Sequence, residues 1–118
     1  MAIQVALRRT PGVVIVAPVG DLDIDSAADL RAALVEAIGD GSDRVVVDLA
    51  EVGFLDSTGI GQLAWLAADR GGGRTDVVVA NAQPIVRNAL RLMGLNALLE
   101  VHAYGDPPPL PGVADTTR

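Results

Sequence analysis

The residues whose types and order could carry chemistry are Asp56-Ser57-Thr58-Gly59. They follow Val45-Val46-Val47, an unbroken β-branched run that is typical of a buried parallel strand. Apolar residues at helical spacing come directly after them, namely Ile60, Leu63, Ala64 and Ala67. Because Asp, Ser and Thr favour helix N-caps, this segment predicts two hydroxyls and a carboxylate at the surface, where a helix begins.

A serine hydroxyl at a helix N-terminus is suited to carry a phosphate, since the positive end of the helix dipole tolerates negative charge. Ser57 could therefore accept a phosphate, but its position alone favours a plain capping serine, and both interpretations stay open at this point. Thr58 could accept the phosphate instead of Ser57. Asp56 could orient the Ser57 hydroxyl, contact a partner or cap the helix.

Trp65 lies on the same predicted helix, nearly opposite the apolar stripe. It could anchor a partner, because Trp is enriched among interface hot spots. Alternatively it lies over the third helix of the chain, and we favour this second position.

The elements that position these residues begin with a predicted hairpin. Residues Ile3 to Arg8 alternate, Thr10-Pro11-Gly12 supplies a turn, and Val13 to Val19 is rich in β-formers. A first helix follows, with Ser26 or Asp25 as its cap and Gly39 and Gly41 at its end; its apolar positions are Ala27, Leu30, Ala33, Leu34 and Ala37.

Two further strand and helix pairs and a last strand complete the pattern. We expect a strand over Asp43 to Leu49, a helix over Asp56 to Arg70 that Gly71-Gly72-Gly73 stops, and a strand over Asp76 to Ala80. Pro84 opens a third helix that Gly94 closes, and Leu98 to His102 is a short last strand. The third helix is expected to have one broad apolar face, formed by Ile85, Val86, Ala89, Leu90, Leu92 and Met93.

This order predicts an α/β fold. An N-terminal hairpin followed by β-α crossover units gives a mixed sheet of four to five strands covered by helices, with right-handed crossovers. Residues 1–104 would form one domain. Residues 105–118 contain Pro107-Pro108-Pro109-Leu110-Pro111 and predict an extended or disordered tail; a ligand for a proline-binding groove is the alternative.

Composition excludes several classes of function. The net charge of −6, with nine Arg and no Lys, disfavours direct nucleic-acid binding. The absence of Cys excludes disulfides and thiolate metal sites, and no other metal-ligand spacing is present, so we expect no metal and no cofactor. No apolar run approaches the roughly 20 residues that span a bilayer, and no signal peptide begins the chain, so we expect a cytoplasmic monomer without membrane insertion.

Enzymatic activity is also disfavoured. The sequence around Ser57 lacks the G-x-S-x-G elbow of serine hydrolases, and His102 is the only histidine that could serve as its base. The Gly-rich segment from Arg70 to Arg74 lacks the G-K-[ST] of a P-loop.

Three segments together carry a family resemblance. Phe54-Leu55-Asp56-Ser57-Thr58-Gly59-Ile60-Gly61 resembles the signature loop of STAS domains, in particular of small bacterial anti-sigma factor antagonists. Gly20-Asp21-Leu22-Asp23 and the segment from Pro84 through Gly94 to Leu95 match that family in order and spacing. The resemblance covers Ile3 to Tyr104.

The resemblance implies a regulator without catalysis of its own. Ser57 would be phosphorylated by an anti-sigma factor that is also a serine kinase, which would expel the antagonist, and a phosphatase would reset it. Asp23 would contact the partner near the phosphorylation loop, although Asp21 and Asp23 could equally form a solvated acidic loop. The implied partner-binding residues are Asp21, Asp23, Asp56, Ser57, Thr58, Gly59, Gly61 and Trp65. The alternative is a STAS scaffold that is not phosphorylated, such as a subunit of a transport ATPase complex.

Overall fold

The computed structural model describes residues 3–39, 43–73 and 75–105. Its elements, in chain order, are β1 (Gln4–Thr10), β2 (Val13–Val19), α1 (Ala27–Gly39), β3 (Arg44–Asp48), α2 (Ser57–Gly73), β4 (Asp76–Ala82), α3 (Pro84–Leu92), a 3₁₀ turn (Leu95–Ala97) and β5 (Glu100–Ala103).

The five strands form one sheet in the order β1-β2-β3-β4-β5. The β1 and β2 strands are antiparallel, while β2 to β5 are parallel to one another. Gly12, at φ +82°, allows the tight hairpin turn, and its carbonyl accepts a hydrogen bond from the Arg44 N–H at 3.0 Å. The predicted mixed sheet, hairpin and crossover units are confirmed. Because β2, β3 and β4 are parallel, the loops that follow them lie at one edge of the sheet.

The main core lies between the helices and one face of the sheet. Alternate strand residues point into it, namely Val14, Val16, Val45, Val47, Val77 and Val79. They meet the buried side of each helix, which carries Leu30, Leu34, Leu63, Leu66, Val86 and Leu90. The opposite face carries a second, smaller buried cluster of Val13, Val46 and Ala80. Both faces of the central strands are therefore buried, as their continuous valine runs predict.

The expected end of α2 was wrong. The helix continues through Gly71 and Gly72 to Gly73, whose φ of +87° is a left-handed conformation that ends a helix. A glycine inside a helix costs about 1 kcal/mol relative to alanine but does not forbid the helical conformation. The helix therefore does not end at Arg70, before the glycine run, but at the last of the three glycines.

The expected single apolar face of α3 was also wrong. Val86 and Leu90 are buried, whereas Ile85, Leu92 and Met93 are exposed. A nine-residue helix against the end of a sheet presents a narrower buried stripe than the sequence suggested.

The termini of α3 agree with the prediction: Pro84 is in the first turn, and Gly94 follows the helix with a φ of +82°. The short 3₁₀ turn after it, Leu95–Ala97, was not predicted. It delays the last strand, which begins at Glu100 rather than at Leu98.

Within the described ranges, no helix is long and apolar enough to cross a membrane. The predicted C-terminal tail lies outside the described residues from Asp106 onward.

Candidate functional site

Leu22 joins the loop after β2 to the loop after β3. Its N–H donates to the Phe54 carbonyl at 2.9 Å, and its own carbonyl accepts from the Asp56 N–H at 3.0 Å. Leu22 and Leu55 thereby form an isolated parallel bridge. This pairing brings the segment from Asp21 to Asp23 beside the segment from Asp56 to Gly59. The two segments are distant from each other along the chain.

Asp56 caps α2. One oxygen of its carboxylate accepts the backbone N–H of Thr58 at 2.9 Å and that of Gly59 at 3.1 Å, while its carbonyl accepts the Ile60 N–H at 2.9 Å. Of the roles left open for Asp56, capping is confirmed. Ser57 is the first residue of the helix and is exposed, whereas Thr58 is half-buried. The more accessible of the two hydroxyl-bearing residues is therefore Ser57.

Gly59 and Gly61 occupy different environments, although the resemblance implied partner binding for both. Gly59 is buried, and a Cβ on it would lie 2.5 Å from the Leu22 carbonyl oxygen. Gly61 is exposed, and a Cβ there would meet nothing within 4 Å. Gly59 thus allows the first turn of α2 to lie against Leu22, and only Gly61 is at the surface.

The buried Ser26 side chain holds the acidic loop, residues Asp21 to Asp25, in place by hydrogen bonds. Its hydroxyl donates to the Asp21 carbonyl at 2.8 Å and accepts the Asp23 N–H at 2.9 Å. The Asp23 carboxylate in turn accepts the N–H groups of Asp25 at 3.0 Å and of Ser26 at 3.2 Å. Ser26 directly precedes α1, and its carbonyl accepts the Leu30 N–H, but its hydroxyl faces the preceding loop instead of capping the helix as predicted. The spacing Asp23-x-x-Ser26 was the signal for this turn.

This arrangement of strand, loop and capped helix matches a known domain family. The family model described as "Mlab, STAS domain" matches residues 5–100. The chain belongs to the STAS domain family. The predicted resemblance is therefore confirmed.

Relatives of this STAS domain include anti-sigma factor antagonists. The anti-sigma-F factor antagonist RsfB of Mycobacterium tuberculosis is 33% identical over 95 residues, which cover 80% of this chain and 77% of RsfB. The crystal structure of an anti-sigma factor antagonist from Mycobacterium paratuberculosis is similar with a TM-score of 0.79 at 26% identity, covering 98% of this chain and 91% of that one. The unphosphorylated form of the anti-sigma factor antagonist SpoIIAA shares the fold, with a TM-score of 0.70 at 21% identity over 83% of this chain and 87% of SpoIIAA.

Trp65 of the STAS domain lies at the contact between α1 and α2, which corrects the position that we favoured. The Arg31 guanidinium of α1 stacks on its ring, 4.0 Å from the centroid, and Arg31 Nε donates to Gln62 Oε1 at 2.6 Å. The ring therefore has a stacking partner on the first helix. It remains half-buried, so one part of it is open to solvent.

The surface around Ser57 combines carboxylates with exposed apolar side chains. Asp21, Asp25 and Glu51 are exposed on the loops at this edge of the sheet. Ile24 is 74% and Phe54 is 48% exposed. Sequence reasoning missed both apolar residues, although an isoleucine between two aspartates in a turn was the available signal. Such a surface suits a partner protein with complementary basic and apolar groups.

Among the residues that the structure describes, no three His, Cys, Asp or Glu side chains are grouped so that they could hold a metal ion. The imidazole of His102, on β5, contacts the neighbouring Glu100 carboxylate.

Proposed function

We propose that this STAS domain is an anti-sigma factor antagonist controlled by phosphorylation of Ser57. In its unphosphorylated form it binds an anti-sigma factor, and the sigma factor is released to RNA polymerase in the cytoplasm. The observation that carries the proposal is the exposed position of Ser57 at the start of α2, beside the acidic loop that Leu22 holds in place. The antagonists among the relatives support the same role.

Phosphorylation would change this surface chiefly through charge. A phosphoserine carries about −1.5 to −2 charges at neutral pH. The N–H groups of Thr58 and Gly59 already bond the Asp56 carboxylate, so they are not free to bind the phosphate. The new charge would therefore face outward beside Asp56, Asp21 and Asp23, and a partner that fits the unmodified surface would be repelled or displaced.

The roles of the site residues follow from their places in this geometry. Asp21, Asp23, Thr58, Gly61 and Trp65 would contribute contacts around Ser57, whereas Gly59 would act by letting α2 approach the acidic loop. The domain supplies only the accepting hydroxyl. The anti-sigma factor, holding ATP and Mg²⁺, would transfer the phosphoryl group, and a phosphatase would remove it.

The test measures phosphate uptake by the wild type and the binding of Ser57 variants to the cognate anti-sigma factor. Intact-mass and fragment mass spectrometry after incubation with ATP should find one phosphate, on Ser57. Calorimetric titration should show Ser57→Ala binding within about threefold of wild type, because it keeps the charge of the unmodified surface, and Ser57→Asp weakened about tenfold or more. Asn96→Asp, an exposed position before the start of β5 and so at the opposite edge of the sheet, supplies a matched control for added charge and should bind like wild type.

Two results would contradict the proposal in different ways. Unchanged binding of Ser57→Asp would remove the phosphorylation switch but leave the antagonist role. No binding of wild type, together with no phosphate uptake and co-purification with an ATPase, would instead support the alternative role as a subunit of a transport complex.

A further inference from the structure

An open groove lies at the same edge of the sheet as Ser57. It has a volume of about 510 Å³ and is lined by Ala50, Glu51, Gln83, Pro84 and Tyr104. These residues come from the loops after β3 and β5 and from the junction of β4 with α3. The carboxyl ends of three parallel strands thus meet at this groove, and the roles proposed above use none of its side chains.

Side-chain hydrogen bonds hold the walls of this groove in place. Gln83 Nε2 donates to the Ala50 carbonyl at 2.8 Å and so ties the junction of β4 with α3 to the loop after β3. Asn81 Nδ2 donates to Asp48 Oδ1 at 3.1 Å, and Asn81 Oδ1 accepts the Gly105 N–H at 3.4 Å, which ties the end of β3 to the end of β5. Asn81 has a φ of +57°, an uncommon value outside glycine that persists only where neighbouring contacts hold it. The groove is therefore preformed and needs little ordering to bind a ligand.

The exposed groups of the groove combine one negative charge with flat apolar surface. Glu51 is exposed, and within the described part of the chain its carboxylate makes no ion pair. Tyr104 is 62% exposed, and its N–H donates to the Ala82 carbonyl at 2.9 Å, which fixes the backbone that carries the ring. Tyrosine is enriched among the residues that dominate protein interfaces. An exposed ring beside a free carboxylate therefore suits contact with a cationic side chain of another protein.

We propose that this groove binds an arginine side chain of a partner protein. A guanidinium carries the charge that complements Glu51, and its planar fork can form two parallel hydrogen bonds to a carboxylate. Its flat face can stack on the Tyr104 ring, while its methylene stem covers Pro84. The domain uses the same kind of contact elsewhere, since the Arg31 guanidinium lies 4.0 Å from the centroid of the Trp65 ring. The net charge of −6 also favours a basic side chain over a neutral one.

Only the identity of the partner rests on the function proposed above; the chemistry of the groove does not. The Glu51 carbonyl accepts the Gly20 N–H at 3.1 Å, which joins the groove to the acidic loop beside Ser57. The groove is therefore continuous with the surface around Ser57. An anti-sigma factor bound at that surface gains affinity from an arginine in the groove, whatever the state of the Ser57 hydroxyl.

Titration of the full-length chain with Nα-acetyl-arginine amide tests the groove without the partner. Tyr104 is the only tyrosine, so its ring signals can be followed by NMR without ambiguity. They should shift in a saturable way with a dissociation constant in the millimolar range, and Glu51→Gln should raise that constant about fivefold or more. Asp43→Asn removes the same charge at an exposed position before β3, at the opposite edge of the sheet, and should bind like wild type. No saturable shift, or equal affinity for the corresponding lysine or glutamine amide, would overturn the proposal.

Calorimetric titration with the cognate anti-sigma factor tests the use of the groove by that partner. Glu51→Gln and Tyr104→Ala should each weaken binding about fivefold or more. Asp43→Asn should bind like wild type, and so should Leu92→Ala, which truncates a 70% exposed side chain at the other end of α3. Unchanged binding of Glu51→Gln and Tyr104→Ala, with Ser57→Asp weakened, would overturn this use of the groove and leave the proposed function intact. Failure of wild type to bind the anti-sigma factor would instead contradict the proposed function, and the arginine titration would still decide whether the groove binds a guanidinium.

Discussion

Gly59 lies against the backbone of Leu22 so closely that no side chain fits between them. A Cβ on Gly59 would be 2.5 Å from the Leu22 carbonyl oxygen and 2.8 Å from the Leu22 Cβ. The same carbonyl accepts the Asp56 N–H. The first turn of α2 can therefore lie this close to the acidic loop only because residue 59 is a glycine and has no side chain.

Gly59→Ala should destabilise the domain by about 1–3 kcal/mol, because the clash is with backbone and cannot be relieved by a rotamer change. Urea unfolding measures the change. Gly61→Ala is the matched control, since it lies two residues further along α2 with open space around it. Alanine there should stabilise the helix by about 0.5–1 kcal/mol. Equal unfolding midpoints for the two variants would contradict the close contact.

Asp56→Ala should cost about 0.5–2 kcal/mol, because the N–H groups of Thr58 and Gly59 lose their shared acceptor. Asp56→Asn keeps an acceptor oxygen and should recover most of that stability. Chemical denaturation of both variants separates capping from charge. If Asp56→Asn is as unstable as Asp56→Ala, the negative charge, and not the hydrogen bonds, is what stabilises the start of α2.

The fold could be predicted because its signals are local. The turn at Pro11 and Gly12, the valine runs and Pro84 each determine their own element within a few residues. Ser57 was placed correctly at the start of α2 for the same reason.

The details of the site depend on contacts between residues distant in sequence, which local patterns do not contain. The burial of Gly59 depends on Leu22, and the position of Trp65 depends on Arg31. The exposed side of α3 likewise depends on how the helix meets the sheet. Periodicity identifies an apolar face but not which part of it a neighbour covers.

Replacement of Ser26 by alanine should lower the stability of the domain more than the same replacement of Ser57. Ser26 is 1% exposed, and its hydroxyl is bonded to Asp21 and Asp23, so Ser26→Ala should cost about 1–3 kcal/mol by leaving the Asp23 N–H without this acceptor. Ser57→Ala removes an exposed hydroxyl and should change the unfolding free energy by less than about 0.5 kcal/mol. Thermal and urea unfolding of the two variants give the comparison. A Ser26→Ala variant as stable as Ser57→Ala would show that the buried hydroxyl does not hold the acidic loop.

Trp65 is the only tryptophan, so its fluorescence reports directly on the contact between α1 and α2. Arg31→Ala should shift its emission to longer wavelength, because removing the stacked guanidinium admits water, and should cost about 1–2 kcal/mol through the lost cation–π contact and the lost hydrogen bond to Gln62. Arg31→Lys should restore only part of the stability, because an ammonium group lacks the planar face and the Nε donor. Arg87→Ala, an exposed arginine on α3, is the control and should leave both emission and unfolding unchanged. An unaltered emission maximum in Arg31→Ala would mean that Arg31 does not shield the ring in solution.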